Sequence, residues 1–303
     1  MSNSAQSVKD KLKNISREKN VDFNSVMRFY MYDRFVERLS KSKYKDNFIL
    51  KGGFYLSKLF GLDNRSTMDI DTAIRKTEFT EENLIVMINE IISIDVGDNV
   101  KFKIEKTELI REEDEYGGLR ITINFMLENI KDKFHIDLAT GDPIYPRPDN
   151  YKYESLIGDE IYKVWSYNLE TILAEKIETI LSKLETSSRM KDYYDIYYLA
   201  NKFDFDGATL TKALKKTFEN RGHAFTIEQF EQVIAFAEND AMQKKWKAFC
   251  KKIDTKTDDF NAVLRTIKKF LTEPYKAAVA DIKYTKIWLA NNNSWIQGGN
   301  DND

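Results

Sequence analysis

Two short stretches, FILKGG at residues 48–53 and RSTMDID at residues 65–71, decide the fold of this chain. The first opens with three apolar residues typical of a short strand and ends in a glycine pair, after which residues 54–60 read as a helix. The second belongs to a predicted strand, in which alternate side chains project to the same face. Asp69 and Asp71 are therefore expected to project together from one face of a sheet.

This acidic pair is a candidate metal site. Two carboxylates on one face of a strand repel each other and cost stability unless a cation or a basic group lies between them. Hard divalent ions such as Mg²⁺ bind oxygen ligands, commonly one or two carboxylates together with phosphate oxygens. We therefore predict that Asp69 and Asp71 bind Mg²⁺ or Mn²⁺. The alternative, which the pattern alone leaves equally open, is the solvent face of an ordinary strand.

A third carboxylate is predicted from strand alternation. In the predicted strand at residues 134–140 the apolar side chains share one face, and Asp137 lies on the other. If this strand neighbours the one at residues 68–74, Asp137 joins Asp69 and Asp71. Three carboxylates can hold two metal ions for in-line attack on a phosphoryl group.

The glycine pair is a candidate phosphate site. Backbone N–H groups are free where a helix starts, and they attract phosphate. Lys51, Gly52 and Gly53 are therefore candidate nucleotide-binding residues, and the alternative is an ordinary turn. The spacing of a Walker P-loop is absent from the chain.

Arg65, Ser66 and Thr67 lie just before the acidic strand. The planar guanidinium group of Arg65 can hold a triphosphate oxygen, and Thr67 is a second nucleotide-binding candidate beside it. Arg65 can equally pair with Asp63 on the surface, and the sequence does not decide between these two.

The second half of the chain carries a regular apolar stripe of helical spacing. The stripe runs from Leu169 to Leu184, and Lys176 falls within it. A lysine on the apolar face of a helix is unfavourable unless its ammonium group finds a partner or reaches solvent. Lys176 is therefore either a lysine at the edge of the stripe that extends to solvent, or a cation that faces an active-site cleft and holds a phosphate.

A segment of mixed charge, RMKDYYD, starts at Arg189. On a helix Asp192 and Asp195 are one turn apart on a face that also carries apolar residues. Acidic groups on a buried face need partners, which Arg189, Lys191 or Lys176 can supply. One interpretation is a structural ion-pair network that joins two helices. The other makes one aspartate a general base or a neighbour of the metal.

The composition indicates a folded protein in two parts. Of the 303 residues 42% are hydrophobic, which is enough to bury real cores and argues against wholesale disorder. We predict an α/β domain at residues 1–160, with N-terminal helices and a mixed sheet flanked by helices, and a helical domain at residues 161–303. Further predicted elements are a helix at residues 81–92, strands at residues 100–107 and 119–126, and a proline-bearing loop at residues 141–149.

Charge and cysteine content exclude some classes of protein. Lysine plus arginine (47) nearly balance aspartate plus glutamate (49), so the net charge of −2 neither demands nor excludes a nucleic-acid partner. Cys250 is the only cysteine, which excludes an intramolecular disulfide and a cysteine-based zinc site. The sequence has no signal-peptide core and no apolar run of membrane length, so we expect a cytoplasmic protein without a membrane partner.

Together these motifs resemble those of the AbiEii/AbiGii-type toxin family, which are nucleotidyltransferases of the DNA polymerase β-like superfamily. The likeness lies in the stretches at residues 48–53 and 65–71, in AEKI at residues 174–177 and in RMKDYYD at residues 189–195. It spans about residues 45–200 with the motifs in order. The resemblance implies a nucleotidyltransferase-like α/β fold with a helical C-terminal domain.

The resemblance also implies a function. The family supplies the toxin of an abortive-infection toxin–antitoxin pair in antiviral defence, with a DNA-binding, repressor-like antitoxin encoded beside it. Toxins that this chain resembles transfer nucleotides from an NTP to the 3′ end of tRNA, which blocks translation. By this resemblance the glycine pair cradles the triphosphate, the acidic pair binds metal, Lys176 contacts phosphate and Asp192 is essential. Arg189, Lys191 and Asp195 support them.

One position departs from the wider superfamily. That superfamily often has Gly-Ser at the turn, with a hydroxyl group that touches phosphate. Here the second residue is Gly53, followed by the bulky Phe54. Backbone amides have to replace the hydroxyl group, which bears on nucleotide affinity and choice.

Several basic clusters in the second half fit an RNA partner. Such clusters can follow a phosphate backbone, while Trp246 or nearby tyrosines can stack on a base. For any single cluster the alternative is a solvated helix face. The clusters are Lys215–Lys216, Lys244–Lys247, Lys251–Lys252 and Lys268–Lys269.

Two other functions fit the same residues. A nucleotidyltransferase can modify a small molecule or a protein instead of RNA, with an unchanged metal and nucleotide site. A module without turnover can bind a nucleotide or a protein partner. The sequence leaves open which NTP is used and whether the antitoxin binds the toxin directly.

Overall fold

The structure is a computed structural model and describes most of the chain. The described residues are 5–62, 65, 67, 69–110, 117–186, 189–224, 226–253 and 257–298. Asp63, Ser66 and Met68, which belong to the predicted acidic motif or lie beside it, fall outside them. The chain divides into two compact units, and each is described by itself. The first unit is Met1–Asp142 with Pro148–Tyr167, and the second is Pro143–Arg147 with Asn168–Asp303.

The described part of the first unit contains four helices and seven strands. The helices are α1 (Ala5–Glu18), α2 (Phe23–Lys41), α3 (Gly52–Phe60) and α4 (Glu81–Ile92). The strands are β1 (Phe48–Leu50), β2 (Asp69–Ile74), β3 (Val100–Ile110), β4 (Gly118–Leu127), β5 (Ile130–Ala139), β6 (Asp149–Glu154) and β7 (Ile161–Ser166).

Within the described residues these seven strands form one mixed sheet, in the order β3-β4-β5-β2-β1-β7-β6. The central strand β2 pairs in parallel with β5 and antiparallel with β1. A parallel pair between β1 and β7 and antiparallel pairs elsewhere complete the sheet. The acidic strand therefore lies between the strand that carries Asp137 and the strand that ends in the glycine pair. The predicted mixed α/β fold is confirmed.

One face of this sheet is covered by an aromatic core. Phe134 of β5 lies at its centre, with ring centroids 5.3 Å from Tyr32 of α2 and 5.9 Å from Phe102 of β3. In β2 the side chains of Ile70 and Thr72 are fully buried, while Asp69 and Asp71, which alternate with them, are half-buried. The predicted alternation is thus confirmed in β2, and it leaves the two aspartates on the other face.

Local signals explain where the helices begin. Thr80 accepts a hydrogen bond from the backbone N–H of Asn83 at 3.3 Å, and Glu81 and Glu82 fill the first turn of α4. A hydroxyl cap and acidic residues at a helix start both stabilise it. The predicted helix at residues 81–92 is confirmed.

Helices form most of the second unit. They are α5 (Leu169–Lys183), α6 (Met190–Lys202), α7 (Gly207–Asn220), α8 (Ile227–Ala235), α9 (Asp240–Ile253) and α10 (Phe260–Ala280). Three short strands, β8 (Phe205–Asp206), β9 (Lys286–Leu289) and β10 (Ser294–Gln297), form an antiparallel sheet in the order β10-β9-β8.

Some strands were not predicted. The sequence predicted that the strand-rich half ends at the loop at residues 141–149, but β6 and β7 follow and extend the sheet. Only Tyr153 is buried in β6, so that strand has almost no alternating pattern to detect. In the second unit β9 is four residues long, and its place depends on the tertiary packing of Trp288, whose ring centroid lies 4.9 Å from that of Phe270.

Candidate active site

Strand pairing brings three carboxylates to one place. Asp71 of β2 and Asp137 of β5 are direct register partners, and Asp69 is the partner of His135. Residues in register on parallel neighbouring strands project to the same face. The two strands are neighbours, which was the condition for Asp137 to join the pair, and Asp69, Asp71 and Asp137 share the face opposite the aromatic core.

The glycine turn contacts the acidic strand directly. The backbone N–H of Gly53 donates a hydrogen bond to Oδ2 of Asp71 at 2.9 Å, and the backbone N–H of Lys51 donates to the carbonyl oxygen of Asp71 at 3.0 Å. Gly52 has a φ of +56°, and a Cβ added there would lie 2.8 Å from Oδ2 of Asp71. A residue without a side chain is therefore required beside this carboxylate.

The second glycine has a different neighbour. Nη1 of Arg65 donates a hydrogen bond to the carbonyl oxygen of Gly53 at 2.6 Å, and Arg65 is buried. A Cβ added at Gly53 would lie 2.9 Å from both terminal nitrogens of Arg65 and 3.3 Å from Oγ1 of Thr67. The guanidinium group thus fills the space that a serine side chain would need, which explains why this chain departs from Gly-Ser. The proposed surface partner Asp63 lies outside the described residues.

Arg120 was missed by the sequence analysis. It is the register partner of Asp137 on β4 and donates two hydrogen bonds of 2.7 Å to the two oxygens of that carboxylate. Its Nη2 also lies 3.8 Å from Oδ2 of Asp69. A signal was present, because Arg120 is the charged residue on the polar face of an alternating strand. A basic group thus lies among the acidic side chains.

Negative charge nevertheless accumulates at Asp69. Burial raises the pKa of Asp69, and the charge on Asp137 raises it further, while Arg120 opposes both. Asp71 adds a smaller effect in the same direction. A carboxylate whose pKa is raised by like charges is one that a cation stabilises in its ionised form.

The donor set fits a divalent metal held by two carboxylates. Asp69 and Asp71 supply hard oxygen donors on one face, and the side chain of Asp69 is 31% exposed, so it remains accessible. Both oxygens of Asp137 accept from Arg120. Accordingly, no group of three or more His, Cys, Asp or Glu side chains among the described residues is arranged to hold a metal ion. Phosphate oxygens would have to complete the coordination.

The side chain of Lys51 contacts Asp142 and Tyr167. Its side chain is buried, and its ammonium nitrogen lies 3.0 Å from Oδ2 of Asp142 and 5.2 Å from the ring centroid of Tyr167. The ammonium group is thus held by an ion pair and an aromatic ring. Within the first unit the backbone of Lys51, more than its side chain, belongs to the glycine turn.

The second unit holds the predicted lysine and two aspartates in one cluster. Nζ of Lys176 on α5 lies 2.8 Å from Oδ1 of Asp192 and 2.6 Å from Oδ2 of Asp195, both on α6. Arg189 donates to the other oxygen of Asp192 at 2.7 Å. Burial raises the pKa of Asp192, but the charges of Lys176, Arg189 and, to a lesser extent, Lys191 outweigh it and lower that pKa. The network joins two helices, as one interpretation of the sequence predicted.

Comparison with known protein families identifies the family of this chain. A sequence profile described as "Nucleotidyl transferase AbiEii toxin, Type IV TA system" matches residues 34–271, which is most of the chain. The chain belongs to the AbiEii nucleotidyltransferase toxin family. AbiEii proteins are the toxins of type IV toxin–antitoxin systems, so an antitoxin partner is implied for this one.

Solved structures give this AbiEii protein further resemblances. JHP933 from Helicobacter pylori is 14% identical, with a TM-score of 0.48 over 83% of this chain and 94% of that one. A provisionally assigned H. pylori nucleotidyltransferase is 15% identical, with a TM-score of 0.46 over 80% and 94%. An antigenic nucleotidyltransferase-like protein from Paracoccidioides brasiliensis is 14% identical, with a TM-score of 0.38 over 77% and 91%. No curated protein sequence matches the chain.

The helices of this AbiEii protein were also compared with the requirements of a membrane span. Across the described part of the chain, none combines the length and the apolar character that crossing a bilayer requires.

Proposed function

We propose that this AbiEii protein transfers a nucleotide from an NTP to the 3′ end of tRNA, with Mg²⁺ or Mn²⁺ bound at Asp69 and Asp71. The observation that carries the proposal is the hydrogen bond from the Gly53 N–H to Asp71 at 2.9 Å. It puts the start of a helix, which attracts phosphate, beside a carboxylate pair that fits a cation.

Residues of the glycine turn would bind the triphosphate. The first backbone N–H groups of α3 lack partners within the helix and carry its positive dipole end. The N–H of Gly53 donates to Asp71, so the neighbouring N–H groups would contact the phosphate oxygens. Arg65 packs against the turn with its guanidinium group, a geometry suited to phosphate oxygens, and Thr67 lies beside it. Lys51 would contribute its backbone and position the turn.

The acidic side chains would handle the charge that develops during transfer. A divalent cation bound there would neutralise the triphosphate and lower the pKa of the attacking hydroxyl group. The RNA 3′-oxygen attacks the α-phosphorus, the bond from that phosphorus to the bridging oxygen breaks, pyrophosphate leaves and the hydroxyl proton passes to solvent. Asp69 and Asp71 would hold the cation that binds the reacting end of the NTP.

Asp137 is proposed as a third metal-binding carboxylate, provided that Arg120 moves away from it. Both of its oxygens accept hydrogen bonds from Arg120, so direct binding of a cation requires Arg120 to move. Until then Arg120 supplies the positive charge that the three carboxylates need. If Arg120 keeps both hydrogen bonds, Asp137 acts as a positioning residue that holds Arg120 beside the other two carboxylates.

The charged cluster of the second unit is proposed to be needed for activity. The family resemblance gives Lys176 a phosphate contact and makes Asp192 essential, with Arg189, Lys191 and Asp195 in support. In the structure Lys176 and Asp192 are buried and paired, so each holds the other in its charged form. An antitoxin encoded beside this chain is the proposed protein partner.

Labelled transfer tests the proposed function. The purified protein is incubated with total RNA, Mg²⁺ and each radiolabelled NTP in turn, and the products are separated by size. We expect a labelled band of tRNA size with at least one NTP, which disappears in EDTA. Label on a small molecule or on protein alone would contradict the tRNA acceptor, and no labelled product with any NTP would contradict transfer itself.

A further inference from the structure

A tyrosine of the second unit lies against two lysines of one helix. Nζ of Lys216 is 4.8 Å from the ring centroid of Tyr145, and Nζ of Lys212 is 5.9 Å from it. Both lysines are exposed on α7, and Tyr145 is half-buried. Arg147, which is exposed, follows in the same loop. We call these four residues the Tyr145 patch.

The loop that carries Tyr145 is held firmly by its backbone. The N–H of Tyr145 donates to Oγ1 of Thr171 at 3.1 Å, and its carbonyl oxygen accepts from Nδ2 of Asn168 at 2.8 Å. The same Asn168 amide donates to the carbonyl oxygen of Arg147 at 3.0 Å. Because the anchoring bonds belong to the backbone, the aromatic side chain is a fixed platform whose identity the fold does not require.

The charge on this part of α7 is not neutralised. Lys212 and Lys216 are one helical turn apart, and like charges at that spacing repel each other. In the described residues neither has a carboxylate partner, whereas Lys215 lies 2.6 Å from Asp281 and 3.7 Å from Glu219. The two lysines beside the tyrosine are therefore set apart from their neighbour as an anion-binding pair.

Among the described residues, no lysine of the clusters at 244–247, 251–252 and 268–269 lies over an aromatic ring in the way that Lys212 and Lys216 do. Trp246 is buried, and its indole N–H donates to the carbonyl oxygen of Asp258 at 3.1 Å. The prediction that Trp246 can stack on a base is therefore wrong, because the core of the second unit covers its ring. Lys268 lies 3.5 Å from Glu231, and Lys245 donates to the carbonyl oxygen of Glu185.

We propose that the Tyr145 patch binds a single-stranded segment of the RNA acceptor. A nucleotide presents an aromatic base and an anionic phosphate a short distance apart, which matches an aromatic ring beside two ammonium groups that have no carboxylate partner among the described residues. Tyr145 stacks on a base, while Lys212, Lys216 and Arg147 contact the backbone. Stacking on an aromatic ring accepts any base, so binding favours single strands without strong sequence preference. This proposal rests on the proposed function.

Binding measured without chemistry tests the patch. The probe is a fluorescein-labelled single-stranded RNA oligonucleotide with a free 3′ end, titrated with the full chain at two salt concentrations. Lys212→Gln/Lys216→Gln should weaken binding about 10-fold and reduce the slope of log K against log salt by about 1.4. Tyr145→Leu should weaken it about 10-fold, whereas Tyr145→Phe should bind like the unaltered chain. A labelled RNA duplex should be much less sensitive to Tyr145→Leu.

The control removes the same charge elsewhere. Lys251→Gln/Lys252→Gln on α9 also lowers the net charge by two, in an exposed pair. It should change affinity less than twofold. Equal losses in the two double variants, or unchanged binding in both the lysine and the leucine variants, would overturn the patch.

A catalytic control separates the two proposals. Asp69→Asn should bind the oligonucleotide like the unaltered chain while losing transfer. If the unaltered chain transfers label to RNA and the patch variants bind and transfer normally, the patch is overturned and the proposed function stands. If RNA binds through the patch and no NTP is ever transferred, the proposed function fails instead.

Discussion

Gly53 and Asp71 are joined by a hydrogen bond of 2.9 Å from the backbone N–H of the glycine to the carboxylate. The bond links the start of α3 to the middle strand of the sheet, although seventeen residues separate the two in the chain. The glycine turn and the acidic strand of this AbiEii protein are therefore in direct contact. Changes at the turn should therefore act through the carboxylate.

Gly52→Ala is expected to disrupt transfer by displacing Asp71. Its φ of +56° costs a residue with a side chain roughly 1–2 kcal/mol, and the added Cβ would lie 2.8 Å from Oδ2 of Asp71. We expect a loss of stability of about that size, and at least a ~100-fold lower transfer rate if Asp71 is a metal ligand. Urea unfolding and the labelled transfer assay measure the two effects.

Gly97→Ala is the matched control for that variant. Gly97 has a φ of +72°, and a Cβ added there meets no atom within 4 Å. The backbone cost should be similar, roughly 1–2 kcal/mol, while transfer stays unchanged. Equal transfer by the two variants would show that the contact with Asp71 is irrelevant to activity.

Gly53→Ser should conflict with Arg65, and a double-mutant cycle measures the conflict. The serine Cβ would lie 2.9 Å from the guanidinium nitrogens, and crowding of this kind costs about 1–3 kcal/mol. Combined with Arg65→Ala, the serine has room, so the two losses should fall short of additivity by at least about 0.5 kcal/mol. Strict additivity in the free energy of unfolding would contradict this packing.

Arg120→Ala should make the protein depend on divalent cations for stability. Removal of the guanidinium group leaves Asp137 and Asp69 without the positive charge that now lies 2.7 and 3.8 Å from them. We expect a lower melting temperature in EDTA and a larger rise on addition of Mg²⁺ than in the unaltered chain, since a cation replaces the lost charge.

Lys133→Ala is the control for the arginine variant. Lys133 lies 3.2 Å from Glu105 in an exposed pair of the same sheet. Exposed pairs contribute about 0–1 kcal/mol, and here Mg²⁺ should give no additional stabilisation. An identical response to Mg²⁺ in both variants would remove the case for cation binding at the three carboxylates.

Asp192→Asn should cost stability at neutral pH and less in acid. Asp192 is 1% exposed, and removal of one partner from a buried ion pair costs about 3–5 kcal/mol. Lys176 and Arg189 lower the pKa of Asp192, so its contribution is present above the unfolded value of about 3.9 and is lost as the pH falls through the lower folded value. Urea unfolding of both proteins from pH 7 downward gives the difference, which a pH-independent gap would contradict.

The sequence was most informative in strands that have one buried face and one open face, because there the side chains alternate between apolar and polar. Alternation predicted that Asp71 and Asp137 each project from the open face of their strand, and the register of β2 with β5 supplies the adjacency that the sequence left as a condition. In β6 only Tyr153 is buried, so no alternation marks it, and the strand was missed.

Other features could not be read from local sequence at all. Arg120 acquires its role only through pairing of β4 with β5, a long-range property of the sheet. Trp246 is buried, with its ring centroid 5.4 Å from that of Phe260 on the following helix, and nothing in the lysines around it reveals this. The Lys212–Tyr145 contact likewise joins residues far apart in the chain.

Transfer of labelled nucleotide to RNA by Asp71→Asn measures the central claim most directly. The matched control is Asp132→Asn, which removes one carboxylate charge from β5, where Asp132 lies 3.5 Å from the half-buried Arg28. With both variants shown to be folded by circular dichroism, we predict that Asp71→Asn transfers at least about 100-fold more slowly than the unaltered chain, and that Asp132→Asn transfers at a normal rate. A folded Asp71→Asn protein that transfers nucleotide as fast as Asp132→Asn would contradict the account.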